Sequence, residues 1–248
     1  MPSSEEIHVL PTARELFEAA AREFVTQSTA AIAARGKFSV ALSGGSTPKG
    51  MYALLAERPA IAWNKIYFFF GDERNVPPDD AESNYRMASE AMLTRVPVPR
   101  VNIFRVPTEV GDAEAAALRY QEMLRRFFAL RDGEFPRFDL ILLGMGSDGH
   151  IASLIPGTAA LDEKVRLVVA NWAPKLSSYR ITFTFPVLNH TACAMFLASG
   201  PDKAPMIHQV LEEQRADLPA ARIHPVDGRL IWMLDQAAAV GLSVATRA

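Results

Sequence analysis

Short apolar runs alternate with longer stretches that mix alanine, leucine and charged residues along most of this chain. The runs are rich in β-branched and aromatic residues and end at glycine, proline or polar residues, which is typical of buried strands. Strands that alternate with helices predict a mostly parallel sheet covered by helices on both faces. The expected strands are Lys37–Leu42, Lys65–Phe70, Val101–Arg105, Phe138–Leu143, Val165–Ala170, Tyr179–Phe185, Ala192–Ser199 and Leu230–Leu234.

Capping residues place helices between these runs. Thr12 and Glu15 form a capping box, which opens an alanine-rich helix that ends near Gly36. Thr47 is the expected N-cap of the next helix, with Pro48 at its first helical position. Further helices are expected from Ser83 to about Leu93, from Asp112 to about Leu130, over Met206–Glu213, and after Leu234.

The length of 248 residues suits one large α/β domain or two small ones, and a content of 49% hydrophobic and 22% charged residues indicates a folded protein. Because the sequence has no internal repeat and no low-complexity linker, we expect one domain over residues 1–248. A formal net charge of −2 argues against a general binder of nucleic acid or membrane surfaces, which needs a basic excess. The N-terminal residues lack the apolar run of a secretory signal, so we expect a cytoplasmic protein without a transmembrane helix. The single cysteine, Cys193, lies in an apolar run and is expected to be a buried, reduced thiol.

A Ser/Gly turn follows the first expected strand. It comprises Ser43, Gly44, Gly45, Ser46 and Thr47. Backbone N–H groups in such a turn and the positive end of the following helix favour an anion such as a phosphate, and the hydroxyl groups add donors. An ordinary capped turn between a strand and a helix would have the same composition. The turn is neither a P-loop nor a dinucleotide fingerprint, so no nucleotide is expected.

Charged residues directly follow the second expected strand. Asp72 is a candidate for orienting a partner or exchanging a proton, and Arg74 is a candidate for binding a phosphate or a developing oxyanion. Glu73 fits a salt-bridged loop better. Asn84 is expected to line the same pocket, and its neighbour Ser83 would serve equally as a helix N-cap.

A glycine-rich turn follows the strand at residues 138–143 and is the most informative stretch of the chain. It holds Gly144, Gly146 and Gly149, with Asp148 and His150 among them. In open α/β sheets, ligands bind beyond the carboxyl ends of the strands. An acid and an imidazole at such a strand end are a candidate catalytic pair, and Gly146 is expected to let the backbone approach a ligand closely.

Two single cations complete the candidate set. Arg180 begins one expected strand and Lys203 follows another. Either would neutralise a phosphate, and a solvated surface charge would explain either equally well. The chain has five histidines but no HExxH motif and no Cys/His cluster, so no metal site is expected.

Together these stretches resemble the 6-phosphogluconolactonase family, within a superfamily that includes glucosamine-6-phosphate deaminase. The matching motifs are SGGSTP at 43–48, GDER-x-VP with SN at 71–84, G-x-G-x-DGH-x-ASL-x-PG at 144–157, RITFTFPVLN, SG-x-x-K at 199–203, and WMLDQAAA. The resemblance implies a Rossmann-like three-layer αβα sandwich, an α/β fold with a mostly parallel central sheet and room for a small extra lobe. It implies hydrolysis of 6-phosphoglucono-δ-lactone to 6-phosphogluconate in the oxidative pentose phosphate pathway, with no metal and no organic cofactor. We further expect a monomer or weak homo-oligomer whose partner is the sugar phosphate lactone.

One departure separates the chain from the deaminase relatives. Those enzymes carry a glutamate shortly after the DGH motif, whereas this chain reads GHIASLIPG and has no acid until Asp162. A deaminase needs proton shuttling through several steps, and a lactonase needs one activated water and one stabilised tetrahedral intermediate. A hexosamine-phosphate deaminase or isomerase is therefore the nearest alternative, and a non-catalytic sugar-phosphate sensor is the alternative from another class.

The resemblance and the residues suggest one mechanism. The phosphate would lie on the Ser43–Thr47 turn, where the two single cations neutralise it. His150 would take a proton from water, and Asp148 would hold either the imidazole or the loop. Arg74 or N–H groups of the glycine-rich turn would stabilise the oxyanion.

Overall fold

The computed structural model describes residues 4–243, and in this range the chain forms nine strands and six α-helices. The strands are β1 (Ser4–Leu10), β2 (Phe38–Leu42), β3 (Ile66–Phe70), β4 (Asp72–Arg74), β5 (Leu140–Leu143), β6 (Val168–Ala173), β7 (Ser178–Phe183), β8 (Cys193–Ala198) and β9 (Arg229–Asp235). The helices are α1 (Ala13–Arg35), α2 (Ser46–Ala56), α3 (Asn84–Ala88), α4 (Ala113–Phe128), α5 (Phe185–Asn189) and α6 (Ala204–Leu211).

Six strands form the central sheet, in the order β1-β9-β8-β5-β2-β3, and every neighbouring pair is parallel. Strands β2, β5 and β8 are buried at every residue. Such continuous apolar strands occur where helices cover both faces of a parallel sheet. All the carboxyl ends of these strands lie at one edge, and the expected α/β fold is confirmed. The three candidate turns follow β2, β3 and β5 at that edge.

Strands β4, β7 and β6 form a second, antiparallel sheet, which is the small extra lobe. The expected strands near residues 165–170 and 179–185 exist, but only four residues separate β6 from β7. A parallel pair needs a long crossover, so this short connection forces a hairpin. Phe183 of β7 stacks on Tyr120 of α4 and packs beside Phe138, so the small sheet contributes to the hydrophobic core.

The capping predictions are confirmed at three helices. The side chain of Thr12 accepts a hydrogen bond from the N–H of Glu15 at the start of α1, and Gly36 ends that helix with φ of 74°. Ser83 and Asp112 likewise cap α3 and α4 with their side chains. Positive φ at Gly36 is the left-handed conformation that a glycine adopts at no steric cost.

The predicted start of α2 is wrong by two residues. The helix begins at Ser46, its N-cap is Gly45 with φ of 104°, and no side chain caps it. Thr47 and Pro48 therefore lie within the first turn. Proline is tolerated there because first-turn N–H groups have no partner inside the helix.

Three other expectations also differ from the structure. Strand β1 was not expected, because its acidic, partly exposed sequence lacks an apolar run; it forms an edge strand paired with β9. The expected strand Val101–Arg105 is instead a 3₁₀ turn, Arg100–Asn102, followed by a single bridge between Ile103 and Phe68. The helix expected after Leu234 is absent over residues 236–241, which form turns, and residues 244–248 lie outside the described part of the chain.

Candidate active site

Two adjoining cavities lie at the carboxyl edge of the central sheet. The first, here called the turn cavity, has a volume of about 280 Å³ and is lined by the Ser43–Thr47 turn and Lys203. The second, called the hairpin cavity, has a volume of about 560 Å³ and is lined by residues 173–176 of the β6–β7 hairpin. Four residues line both cavities: Asp72, Arg74, His150 and Ala152.

The Ser/Gly turn is held by a buried tyrosine on α2. The Tyr52 hydroxyl accepts from the Ser43 N–H at 3.0 Å and donates to the Ser43 carbonyl oxygen at 2.9 Å. Burial raises the pKa of the Tyr52 phenol far above its usual range, so the phenol stays protonated. The Ser43 hydroxyl accepts from the Gly144 N–H at 3.2 Å, which ties this turn to the glycine-rich turn. The first-turn N–H groups of α2 thus border the cavity in a fixed position.

Asn84 packs tightly against this turn. A Cβ atom at Gly44 would lie 2.0 Å from Asn84 Oδ1, so glycine is required there for steric reasons. The Asn84 amide nitrogen donates to the Asp72 carbonyl oxygen at 3.0 Å and to Asp72 Oδ1 at 3.3 Å. The Ser153 hydroxyl donates to Asp72 Oδ2 at 2.6 Å. Asp72 is therefore a buried carboxylate with a hydrogen bond on each oxygen.

Glu73 points to the other side of β4 and has a structural role. It accepts hydrogen bonds from the backbone N–H groups of Arg74, Asn84 and Tyr85 and from the Ser83 hydroxyl. Burial raises the pKa of Glu73 despite these N–H donors. The expected salt-bridged loop is replaced by a carboxyl group that binds backbone at the start of α3.

Asp148 and His150 form a direct pair, which the sequence left open. His150 Nδ1 lies 2.5 Å from Asp148 Oδ1, and the His150 N–H donates to the same oxygen at 3.2 Å. Burial raises the pKa of Asp148, but the hydrogen bonds from the side chain and backbone N–H of His150 outweigh this and leave that pKa below its ordinary value. A proton on Nδ1 facing the carboxylate leaves Nε2 of the neutral imidazole as the acceptor.

Gly146 makes room for this pair. A Cβ atom at Gly146 would lie 2.1 Å from His150 Nδ1 and 2.9 Å from Asp148 Oδ1. The Gly146 N–H also donates to the His150 carbonyl oxygen at 2.9 Å. The absence of a side chain at Gly146 therefore allows the imidazole to lie over the turn.

The cations divide between the two cavities. Lys203 lines the turn cavity and its Nζ lies 3.2 Å from Asp202. Arg180 lines the hairpin cavity, where it is paired across the β4–β7 ladder with Arg74. Burial and the neighbouring charge of Arg74 lower the pKa of Arg180. Arg74 donates to the Glu82 carbonyl oxygen and borders both cavities.

The structure brings most of the predicted site residues together. The turn cavity is lined by Ser43, Gly44, Gly45, Ser46, Thr47, Asp72, Arg74, Asn84, Gly146, His150 and Lys203. Asp148 and Arg180 line the hairpin cavity instead. Sequence reasoning missed Ser153 and Lys175, which line the hairpin cavity too. A serine three residues after His150 was a usable signal for Ser153, whereas nothing local marked Lys175.

Residues 4–243 contain neither a candidate metal cluster nor a candidate membrane span. No group of three or more His, Cys, Asp or Glu side chains in this range is arranged to hold a metal ion. In the same range, no helix is both long and apolar enough to cross a membrane.

Comparisons with known proteins give one consistent result. Residues 11–232 match the family model described as glucosamine-6-phosphate isomerases/6-phosphogluconolactonase. The chain is 42% identical to the 6-phosphogluconolactonase of Nostoc sp. over 96% of this chain and 98% of that one. It is 43% identical to the 6-phosphogluconolactonase of Synechocystis sp. over 96% and 98%. Among solved structures, 6-phosphogluconolactonase from Trypanosoma cruzi is similar with a TM-score of 0.88 and 32% identity, covering 98% of each chain. A monomeric glucosamine-6-phosphate deaminase shares the fold, with a TM-score of 0.77 at 23% identity.

Proposed function

Because the chain belongs to the glucosamine-6-phosphate isomerase/6-phosphogluconolactonase family, we propose that it hydrolyses 6-phosphoglucono-1,5-lactone to 6-phosphogluconate. The observation that carries this proposal is the contact between His150 and Asp148 at a strand end, beside a turn suited to phosphate. This is a hydrolytic step of the oxidative pentose phosphate pathway.

The turn cavity supports binding of the substrate phosphate. The Ser43–Thr47 turn supplies hydroxyl groups and first-turn N–H groups of α2, and Lys203 supplies a positive charge at the same cavity. A phosphate bound there anchors one end of the substrate. This anchoring positions the lactone carbonyl near His150, which lines the same cavity.

His150 acts as the general base in this proposal. With Nδ1 committed to Asp148, Nε2 accepts a proton from a water molecule as the water oxygen attacks C1. Asp148 stabilises the imidazolium that forms. The carbonyl electron pair moves to the carbonyl oxygen, and cationic or N–H groups stabilise the resulting oxyanion. The bond between C1 and the ring oxygen then breaks, and the ring oxygen takes the proton from His150.

The segment after His150 does not favour the deaminase alternative. Ile155 and Pro156 of that segment line the hairpin cavity. In the deaminase motif that this segment resembles, GHIAFNEP, a glutamate stands at the position of Ile155. The apolar side chain of Ile155 cannot shuttle a proton. The lactonase reaction needs no further acid at this place.

A hydrolysis assay tests the proposal. The lactone is generated in situ from glucose 6-phosphate, and its decay is followed with and without protein, with a correction for spontaneous hydrolysis. We expect the wild type to accelerate decay and His150→Ala to lower kcat by about two to four orders of magnitude. His224→Ala is the control, because His224 lies outside both cavities and is expected to keep wild-type activity. A wild type without acceleration would overturn the lactonase proposal, and ammonia release from glucosamine 6-phosphate would then test the deaminase.

The proposal also includes the domain organisation, the cellular location and the oligomeric state. We infer a single catalytic domain over residues 1–248, supported by one hydrophobic core that includes residues of both sheets. We infer a cytoplasmic location, supported by a free, buried thiol at Cys193. We infer a monomer or weak homo-oligomer, which light scattering at two protein concentrations would test.

A further inference from the structure

The hairpin cavity is lined by two arginines whose hydrogen bonds are incomplete, Arg74 and Arg180, while its three carboxylates, those of Asp72, Asp148 and Asp217, are hydrogen-bonded to other groups. In the β4–β7 ladder, Arg74 lies directly opposite Arg180, and like charges in that position destabilise a sheet. The Nε atoms of both side chains are buried without a hydrogen-bond partner in the described part of the chain. Within residues 4–243 no carboxylate forms a salt bridge with Arg180, and the carboxylate nearest to Arg74, that of Glu82, lies 3.8 Å away and is largely exposed. Two adjacent guanidinium groups with unmet hydrogen bonds indicate a binding site for an anion.

Arg180 is separate from the groups that line the turn cavity, and Arg74 borders both cavities. The Ser43–Thr47 turn and Lys203 line only the turn cavity, and Arg180 lines only the hairpin cavity. His150 borders both cavities and therefore lies between the two positive sets. The lactone carries one phosphate, but its hydrolysis creates a second anion at C1. A guanidinium group matches either a carboxylate or a phosphate with two parallel hydrogen bonds, but the helix start and Lys203 already offer a phosphate site in the turn cavity.

We propose that Arg180 and Arg74 bind the oxygen atoms at C1, while the Ser43–Thr47 turn and Lys203 bind the phosphate. The inference rests on the proposed lactone hydrolysis and assigns Arg180 to the opposite end of the substrate from Lys203. Arg180 is half-buried, and the lower local dielectric strengthens an interaction between its guanidinium group and an anion.

The assignment gives the arginines a role in each step. When water adds to C1, the new C–O bond displaces the carbonyl electron pair onto oxygen, and the guanidinium groups neutralise that charge. When the tetrahedral intermediate collapses, the bond from C1 to the ring oxygen breaks and His150 returns its proton to the ring oxygen. The C1 carboxylic acid loses its proton to solvent. The resulting carboxylate remains between the same two guanidinium groups.

Two ligands that differ only at C1 separate this assignment from phosphate binding. The ligand 6-phosphogluconate has a carboxylate at C1, and D-glucitol 6-phosphate has a hydroxymethyl group there with the same phosphate. Their dissociation constants are measured by calorimetry for the wild type, Arg180→Gln and Lys203→Gln. We expect the wild type to bind 6-phosphogluconate more tightly than D-glucitol 6-phosphate. Arg180→Gln is expected to lower the affinity for 6-phosphogluconate by about 10- to 100-fold and to change the affinity for D-glucitol 6-phosphate less than about threefold. Lys203→Gln is expected to lower the affinity for both ligands by the same factor.

The kcat and KM values of the same variants provide a second test. Loss of an interaction made to the oxyanion lowers kcat, and loss of an interaction made equally to substrate and transition state raises KM. Arg180→Gln is expected to lower kcat by about 100-fold, and Lys203→Gln to act mainly on KM. Thermal unfolding checks that each variant is folded. If Arg180→Gln is not, Arg180→Lys carries the comparison, because it keeps the charge and loses the paired hydrogen bonds.

Each result decides the proposal. Three results would overturn the assignment of Arg180. Arg180→Gln could lower the affinity for both ligands equally, it could lower neither affinity, or the wild type could bind both ligands with the same affinity. In those cases wild-type lactone hydrolysis would leave the proposed function intact. A wild type that neither hydrolyses the lactone nor binds either ligand would overturn both the assignment and the proposed function.

Discussion

The steric role of Gly146 leads to a prediction about catalytic geometry. In Gly146→Ala, the added Cβ would lie 2.1 Å from His150 Nδ1 and 2.2 Å from His150 Cε1. An ordinary contact between such atoms is about 3.5 Å, so the ring must move by about 1.4 Å. The displaced ring cannot keep its 2.5 Å contact with Asp148, because Asp148 Oδ1 also lies 2.9 Å from the new atom.

A shift of this size has a predictable effect on rate. Misplacing a catalytic group by about 1 Å costs on the order of 100-fold, so we expect kcat of Gly146→Ala to fall by at least about 100-fold. Stability is expected to change little, because the His150 side chain is 40% exposed and can turn toward solvent without repacking the core. The measurements are kcat in the lactone assay and the midpoint of thermal unfolding.

A matched glycine variant controls for the substitution itself. Gly71 also follows a strand of the central sheet, but a Cβ atom there would meet only the Leu42 carbonyl oxygen, at the ordinary distance of 3.7 Å. Gly71→Ala is therefore expected to keep kcat within about threefold of the wild type. If Gly146→Ala hydrolysed the lactone as fast as Gly71→Ala, the reasoning that Gly146 positions His150 would be refuted.

Two further variants test the neighbouring contacts. Asp148→Asn is expected to lower kcat by about two to four orders of magnitude, because an amide does not stabilise the imidazolium; a loss below tenfold would show that the contact is not used. The lowered pKa of Asp148 means that the ionised carboxylate stabilises the fold above its unfolded pKa of about 4, and this contribution is lost as pH falls through the folded pKa. Thermal unfolding between about pH 6 and pH 3 should therefore show a smaller loss of stability in Asp148→Asn than in the wild type. Gly44→Ala would place Cβ 2.0 Å from Asn84 Oδ1 and is expected to raise KM, with partial recovery when Asn84→Ala removes the clash; KM unchanged in Gly44→Ala alone would contradict the packing argument.

Much of the candidate site was predictable because its signals are local. The Ser43–Thr47 turn, Asp72 and the glycine-rich turn each directly follow an apolar run, and the runs are parallel strands of one sheet. Parallel strands place their carboxyl ends at one edge, so turns far apart in the chain meet there. The pairing of Asp148 with His150 was not predictable in the same way. Two residues of separation allow several geometries, and the contact depends on the path of the glycine-rich turn.

Other features depend on packing between distant segments. The sequence of Glu73 and its neighbours predicts a salt-bridged loop, because no sequence pattern shows that the Glu73 carboxyl group is buried against the first N–H groups of α3. The hydrogen bond from Ser153 to Asp72 joins residues 81 positions apart and exists only because the small sheet packs on the glycine-rich turn. Arg180 was grouped with Lys203 since both are single cations near strands.

Local sequence signals specify the strand–helix alternation, the parallel sheet and the three turns that carry chemistry, because hydrophobic periodicity, capping residues and glycine positions each act over a few residues. The distribution of the cations between the two cavities depends on tertiary packing. The short connection after β6 forces a hairpin, and its register places Arg180 opposite Arg74, where Arg180 lines the hairpin cavity and not the turn cavity. Strand register and cavity boundaries arise from packing between segments that are distant in sequence, and no local pattern specifies them.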